Sequence, residues 1–281
     1  MVKGELQQRI ASSAVLLLIA AAGIWYGGQF AAMVLTALGL LGVYEWLDMI
    51  RPRRLEPLQG ASYLAIIATM LAGYWLPPDI AVAVLLLAGT GVFAAALRLE
   101  RAGPEAPNQP VMRERHDVRR ACWVAAGVFY LGGGCLALML LRSAELGLIL
   151  TLYLMLTVWG TDSGAYLFGR WLKGPKLLPA VSPTKTWAGF FGGIATSAAL
   201  GYVYAGTVGV PGMSWQGAIV LALVAQAGDL FESMVKRRFG VKDSGQLIPG
   251  HGGMLDRIDS LMFAAIFAAA VLALFGWRFG E

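Results

Sequence analysis

Apolar residues gather along this chain into nine long runs, separated by shorter stretches that collect the charges, most of the prolines and many glycines. The runs lie near 10–26, 29–49, 60–76, 80–97, 121–141, 146–168, 187–206, 214–231 and 258–277. About 20 mainly apolar residues cross the hydrocarbon core of a bilayer as a helix, and helices satisfy their own backbone groups where water is absent. The pattern therefore predicts an all-α, polytopic integral membrane helical bundle of about nine transmembrane helices. The first run follows Lys3 and Arg9 in the manner of a signal peptide, but no small-residue cleavage site precedes a soluble stretch. It is expected to be a retained first span.

The polar positions then set the orientation. Nine spans place the termini on opposite sides, and all of the 22 Lys and Arg except Arg142 and Arg278 then fall on the side of the N-terminus. Cytoplasmic loops carry the excess of Lys and Arg, so the N-terminus is expected in the cytoplasm and the C-terminus outside. Composition agrees with this picture. Of 281 residues 58% are apolar and 14% charged, against about 25% charged in a soluble domain, which excludes a single soluble core. The net charge of +5 follows from the same cytoplasmic bias, so no nucleic-acid partner is expected. A disulfide scaffold is excluded too, because Cys122 and Cys135 share one apolar run and would face opposite sides of a helix.

The whole of 1–281 reads as one polytopic domain, with N-terminal helices and a linker in 1–120 and catalytic helices and loops in 121–281. The stretch 99–120, with Pro104, Pro107, Pro110 and mixed charges, reads as a mobile cytoplasmic linker. No internal repeat and no inverted pair of broken helices is evident, which weighs against a transporter.

Charges that enter or abut the apolar runs are concentrated in the last part of the chain, and an acid within a membrane helix is a functional candidate by default. Asp162 sits inside the sixth run, in Trp159-Gly160-Thr161-Asp162-Ser163-Gly164-Ala165-Tyr166, where the small residues would also permit close helix packing. The loop from Arg170 to Thr186 has four cations and no acid, and ends in Ser182-Pro183-Thr184-Lys185-Thr186-Trp187 before the seventh run. Such a sequence suits either an anion site or a helix cap on a cytoplasmic loop. Further on, Asp229, Glu232, Ser233 and Lys236 share one helical face leading into the basic cluster Lys236-Arg237-Arg238. That face would serve a metal or phosphate site, or more simply an i,i+4 pair between Glu232 and Lys236. The glycine-rich stretch from Lys242 to Ser260 brings Asp243, His251, Gly252, Gly253, Asp256, Arg257 and Asp259 to the start of the ninth run. Hard oxygen donors with a single His favour Mg²⁺ over zinc, and His251 is better read as a phosphate donor than as a ligand.

Across Ser233, Lys236, Arg237, Lys242, Asp243, Gly245, Pro249, His251, Gly252, Gly253, Asp256, Arg257 and Asp259 the sequence resembles, position for position, the signature of the CDP-diacylglycerol synthase (phosphatidate cytidylyltransferase) family. The blocks around Asp162 and Ser182–Trp187 are similar to that family as well, so the close likeness covers about the last 120 residues. One departure is Ala188, where many members carry a glutamate.

The resemblance implies an enzyme that converts CTP and phosphatidate into CDP-diacylglycerol and pyrophosphate with Mg²⁺, or with two cations. It also implies a homodimer in the cytoplasmic membrane of bacteria, among membrane lipids, with its site facing the cytoplasm. In-line attack of the lipid phosphate on the CTP α-phosphorus joins two anions, so charge neutralisation and positioning should dominate. Asp229 and Asp256 are then the expected metal ligands, with Asp259 or Glu232 supporting them. Lys185, Lys236, Arg237, Lys242 and Arg257 are expected to neutralise phosphates. Ser182, Thr186, His251, Gly252 and Gly253 would donate hydrogen bonds to them, Asp243 would orient a lysine or touch the nucleoside, and the role of Asp162 stays open. A polyprenol kinase-like transferase or an anion exchanger remains an alternative.

Overall fold

The computed structural model describes residues 3–52, 55–102, 110–210, 213–248 and 252–275. Its helices are α1 (Lys3–Tyr26), α2 (Gly28–Ile50), α3 (Leu55–Trp75), α4 (Pro78–Arg101), α5 (Pro110–Gly127), α6 (Gly133–Ser143), α7 (Gly147–Leu172), α8 (Trp187–Val208), α9 (Trp215–Arg238) and α10 (Leu255–Leu274). A single π turn, Val128–Gly132, joins α5 to α6, and a short hairpin of β1 (Lys176–Leu178) and β2 (Ser182–Thr186) precedes α8. The described apolar positions of all nine runs lie mainly in helices. Among the described residues six helical stretches are long and apolar enough to cross a membrane, namely Gly28–Ile50, Pro78–Arg101, Asp117–Ser143, Gly147–Leu172, Trp215–Arg238 and Leu255–Leu274. The chain is thus an all-α integral membrane protein. Helix α8 falls outside that set because Gly, Thr, Ser and Tyr dilute its apolar run.

Two segments differ from expectation. The proposed linker is helical over 99–101 and from Pro110 onward, since Pro is well suited to the first turn of a helix and no breaker follows it. The loop before α8 folds back on itself, pairing Lys176 with Thr186 and Leu178 with Ser182, because the Val181 N–H closes a turn onto the Leu178 carbonyl at 3.1 Å.

The chain forms two compact units, one of residues 1–140 and 243–256, the other of 141–242 and 257–281. In the first, α2, α3 and α4 all pack against the π turn. Trp46 of α2 is fully buried, with its ring where Gly127 has no side chain, and its indole N–H donates to the Trp123 carbonyl at 2.8 Å. That single side chain fixes α2 against α5. Cys122 and Cys135 are both free thiols.

In the second unit α7 packs along α8 and α8 along α9. The seam between α7 and α8 is built of small residues, as membrane helices require for close approach. A Cβ on Gly193 would stand 2.7 Å from the Thr161 carbonyl, and one on Gly164 would meet Thr196 and stand 2.8 Å from the Gly192 carbonyl. The small residues flanking Asp162 therefore serve packing. Thr186 caps α8 by accepting from the Gly189 N–H at 3.1 Å, and Ser214 caps α9 by accepting from Gly217 at 3.2 Å. Lys236, Arg237 and Arg238 occupy the last turn of α9, where they complement the negative end of the helix dipole.

Gly164→Val should overpack this seam and destabilise the chain by about 1–3 kcal/mol. Gly206→Val, at a position with nothing within 4 Å, should not. Thermal unfolding in detergent compares the two; equal melting temperatures would refute the seam.

Candidate active site

The second unit brings together candidates from three helices and the hairpin. Lys185 on β2 reaches the Asp229 carboxylate of α9 at 2.5 Å, and the Ser233 hydroxyl, one turn on, donates to Asp229 at 3.4 Å. Asp162 of α7 lies within electrostatic range of Asp229, of Asp259 on α10 and of Lys185. The approach of α9 to α10 depends on Gly228, where a Cβ would stand 2.8 Å from Phe263 and 3.0 Å from the Asp259 carbonyl. Asp259 is buried, and its carboxylate accepts from the Ser260 N–H at 2.7 Å.

Burial separates the two lysine pairs. Lys185 and Asp229 are 25% and 31% exposed, so their ion pair keeps some contact with solvent and costs less to part than a fully buried one. Lys236 meets Glu232 at 2.5 Å with the two side chains 12% and 0% exposed, and depriving a buried charge of its partner costs about 3–5 kcal/mol. The i,i+4 pair of Glu232 with Lys236 is present, and Glu232 also meets the Asp259 side chain. Arg237 donates from Nε to the Val181 carbonyl at 3.3 Å and from a terminal nitrogen to Val241 at 3.2 Å, tying the hairpin to the end of α9. Ser182 is buried in β2, the Thr186 hydroxyl is engaged in its cap, and Lys242 and Arg257 are exposed.

The first unit holds the rest of the signature. Asp256, at the start of α10, accepts at Oδ2 from the Ser244 and Gly253 N–H groups, each at 3.1 Å. Gly252 has φ +84°, which explains a glycine there, and the Gly253 amide is engaged by Asp256. Asp243 is exposed, and His251 lies outside the described residues.

Among the described residues no group of three or more His, Cys, Asp or Glu is arranged to hold a metal unaided. Mg²⁺ does not need one, since it takes one or two carboxylates and completes its shell with water and substrate phosphate. Asp229 and Asp256, both half-buried carboxylates, fit that requirement in kind.

Residues 7–275 match the model of the cytidylyltransferase family. The chain belongs to this family. It is 39% identical over 283 residues to a Brucella suis protein named phosphatidate cytidylyltransferase, covering 99% of this chain and 95% of that one. A Pseudomonas aeruginosa protein of the same name is 36% identical over 277 residues, covering 97% and 98%. A Staphylococcus epidermidis protein, also so named, is 45% identical over a stretch of 154 residues, covering 54% and 58%. The chain is therefore a cytidylyltransferase-family enzyme, and the likeness runs well beyond the last 120 residues into the N-terminal helices.

Those helices contain a participant that sequence reasoning missed. Glu45 of α2 is 1% exposed. Its carboxylate accepts from the Ser244 hydroxyl at 3.2 Å, the Met254 N–H at 3.0 Å and the Leu255 N–H at 2.8 Å. The available signal was an acid inside an apolar run, the same signal that singled out Asp162 and Asp229.

Lys236→Met should lower stability by about 3–5 kcal/mol and Lys185→Met by clearly less, since its partner Asp229 keeps contact with solvent. Parallel thermal melts measure both; the reverse order would show that the burial contrast has been misread.

Proposed function

We propose that this enzyme transfers the cytidylyl group of CTP to phosphatidate, releasing CDP-diacylglycerol and pyrophosphate. The observation that carries the reading is the partly exposed ion pair of Lys185 with Asp229, a cation from the hairpin brought onto an acid within a membrane helix. The names of the relatives from Brucella suis and Pseudomonas aeruginosa support the choice of substrates.

A phosphate oxygen of phosphatidate attacks the α-phosphorus of CTP, the new P–O bond forms in line, and the bond to the β-phosphate oxygen breaks with pyrophosphate leaving. Both substrates are anions, so positioning and charge neutralisation supply most of the catalysis, and no covalent nucleophile from the protein is needed. Lys185 leaves Asp229 for a phosphate, while Lys236, pinned by Glu232, offers a charge fixed in position. Arg237, Lys242 and Arg257 neutralise the triphosphate, the lipid phosphate and the leaving pyrophosphate. Ser182, Thr186, His251 and Gly252 contribute hydrogen bonds, the Gly253 N–H being taken by Asp256, and Asp243 contacts the nucleoside or orients a lysine. Asp229 and Asp256 are the proposed ligands of Mg²⁺ or a cation pair, and Asp162 and Asp259, within electrostatic range of Asp229, are proposed to support it. When bound, the metal supplies charge neutralisation of the triphosphate.

The membrane setting follows the same logic. In a nine-span chain with a cytoplasmic N-terminus, the basic hairpin and the basic end of α9 lie on the cytoplasmic side, where CTP is found. Trp25 and Tyr26 at the end of α1, Tyr74 and Trp75 at the end of α3, and Trp215 at the start of α9 then mark the opposite interface, as interfacial aromatics do. We assign the enzyme to a bacterial cytoplasmic membrane as a homodimer, with residues 121–281 carrying most of the chemistry.

Purified enzyme given labelled CTP, phosphatidate and Mg²⁺ should yield a lipid-soluble CDP product and pyrophosphate, and chelation of the metal should stop it. Absence of that product, or phosphate transfer to a polyprenol instead, would overturn the reading. Asp229→Asn and Asp256→Asn should each reduce turnover about 100-fold or more, measured well below each variant's own melting transition. Near-normal Mg²⁺-dependent turnover in either variant would remove that residue from the metal site.

A further inference from the structure

Three consecutive amides enter α10, those of Gly253, Met254 and Leu255, and two carboxylates take them all. The Gly253 N–H goes to Asp256 at 3.1 Å, and the Met254 and Leu255 N–H groups go to Glu45 at 3.0 and 2.8 Å. The first N–H groups of a helix have no partner within it and need one from elsewhere. Here a residue about 200 positions earlier supplies it, and its negative charge meets the positive end of the α10 dipole. Ser244 closes the arrangement, giving its N–H to Asp256 at 3.1 Å and its hydroxyl to Glu45 at 3.2 Å.

The surrounding sequence is shaped to this contact. A Cβ on Gly245 would collide with the Glu45 carboxylate, and one on Gly253 would collide with the Ser244 hydroxyl and stand 2.9 Å from Glu45. Gly245 is therefore a glycine because Glu45 is there, and Gly253 because Ser244 packs against it with Glu45 close behind. Glu45 itself is held from behind, since the next residue is the buried Trp46 with its hydrogen bond to Trp123.

We propose that Glu45 is a positioning residue of the transferase reaction: from α2 it clamps Ser244 and the entry to α10 at Met254 and Leu255, and so sets the place of the Asp256 carboxylate. Its effect on turnover rests on the function proposed above, whereas its hold on the loop does not. Glu45→Gln keeps the size but turns one acceptor into a donor facing the N–H groups. Glu45→Asp keeps both acceptors on a side chain one methylene shorter.

Hydrogen–deuterium exchange on the full chain in detergent, read together with turnover, tests the proposal. Glu45→Gln should speed exchange at Met254 and Leu255 about tenfold or more and leave the 176–186 hairpin unchanged. Its kcat, measured well below its own melting transition, should fall about tenfold or more, with KM for CTP changed much less. Glu45→Asp should recover part of both effects. Unchanged exchange at Met254 and Leu255 would overturn the clamp. Faster exchange with normal kcat, or activity lost only in proportion to unfolded protein, would overturn the positioning role. Should the unaltered enzyme make no CDP-lipid, the function reading falls, and the exchange experiment still decides whether Glu45 holds the loop.

Discussion

A carboxylate removed from water must be matched by donors or by a cation, and the functional part of this protein is organised around that requirement. Three acids illustrate three ways of meeting it. Glu45, almost wholly buried, is satisfied by two backbone N–H groups and a hydroxyl. Glu232, fully buried, is matched by Lys236 one helical turn away. Asp229, about a third exposed, is matched by Lys185 from the hairpin. The degree of burial ranks them: the first two fix geometry, and the third is the least costly to part.

This division accounts for the local folds. The hairpin carries Lys185 and Ser182, and it is held by the Thr186 cap at one end and by Arg237 on the Val181 carbonyl at the other. Close packing of α7 on α8 through Gly164 and Gly193 brings Asp162 and the hairpin to one end of the second unit. In the first unit the Trp46 anchor and the Glu45 contact act in series, one fixing α2 and the other using α2 to fix the loop before Asp256.

Much of this was legible in the sequence because lipid imposes a strong signal. The apolar runs located the helices, since an apolar stretch of spanning length has few alternatives. The face shared by Asp229, Glu232 and Lys236 was legible because helical periodicity is local, and Thr186 announced its cap. The hairpin was not legible: its strands have three and five residues, one of them containing Pro183, and its stability comes from contacts with α8 and α9 rather than from strand propensity. Glu45 escaped for a different reason. Its partners at Ser244, Met254 and Leu255 lie about 200 positions away, and two of the three offer backbone groups that leave no trace in side-chain identity. The glycines at 245 and 253 record the contact only once the fold is known.

Catalysis in this account requires that the acids within the helices gather a divalent cation where the basic residues gather phosphate. Anomalous X-ray scattering from crystals of the enzyme grown with Mn²⁺ and a non-hydrolysable CTP analogue tests that requirement most directly. The account predicts manganese on the carboxylates of Asp229 and Asp256, with Lys185 moved from Asp229 to a phosphate of the analogue. Manganese bound away from both aspartates, or the analogue bound with Lys185 still on Asp229, would contradict it.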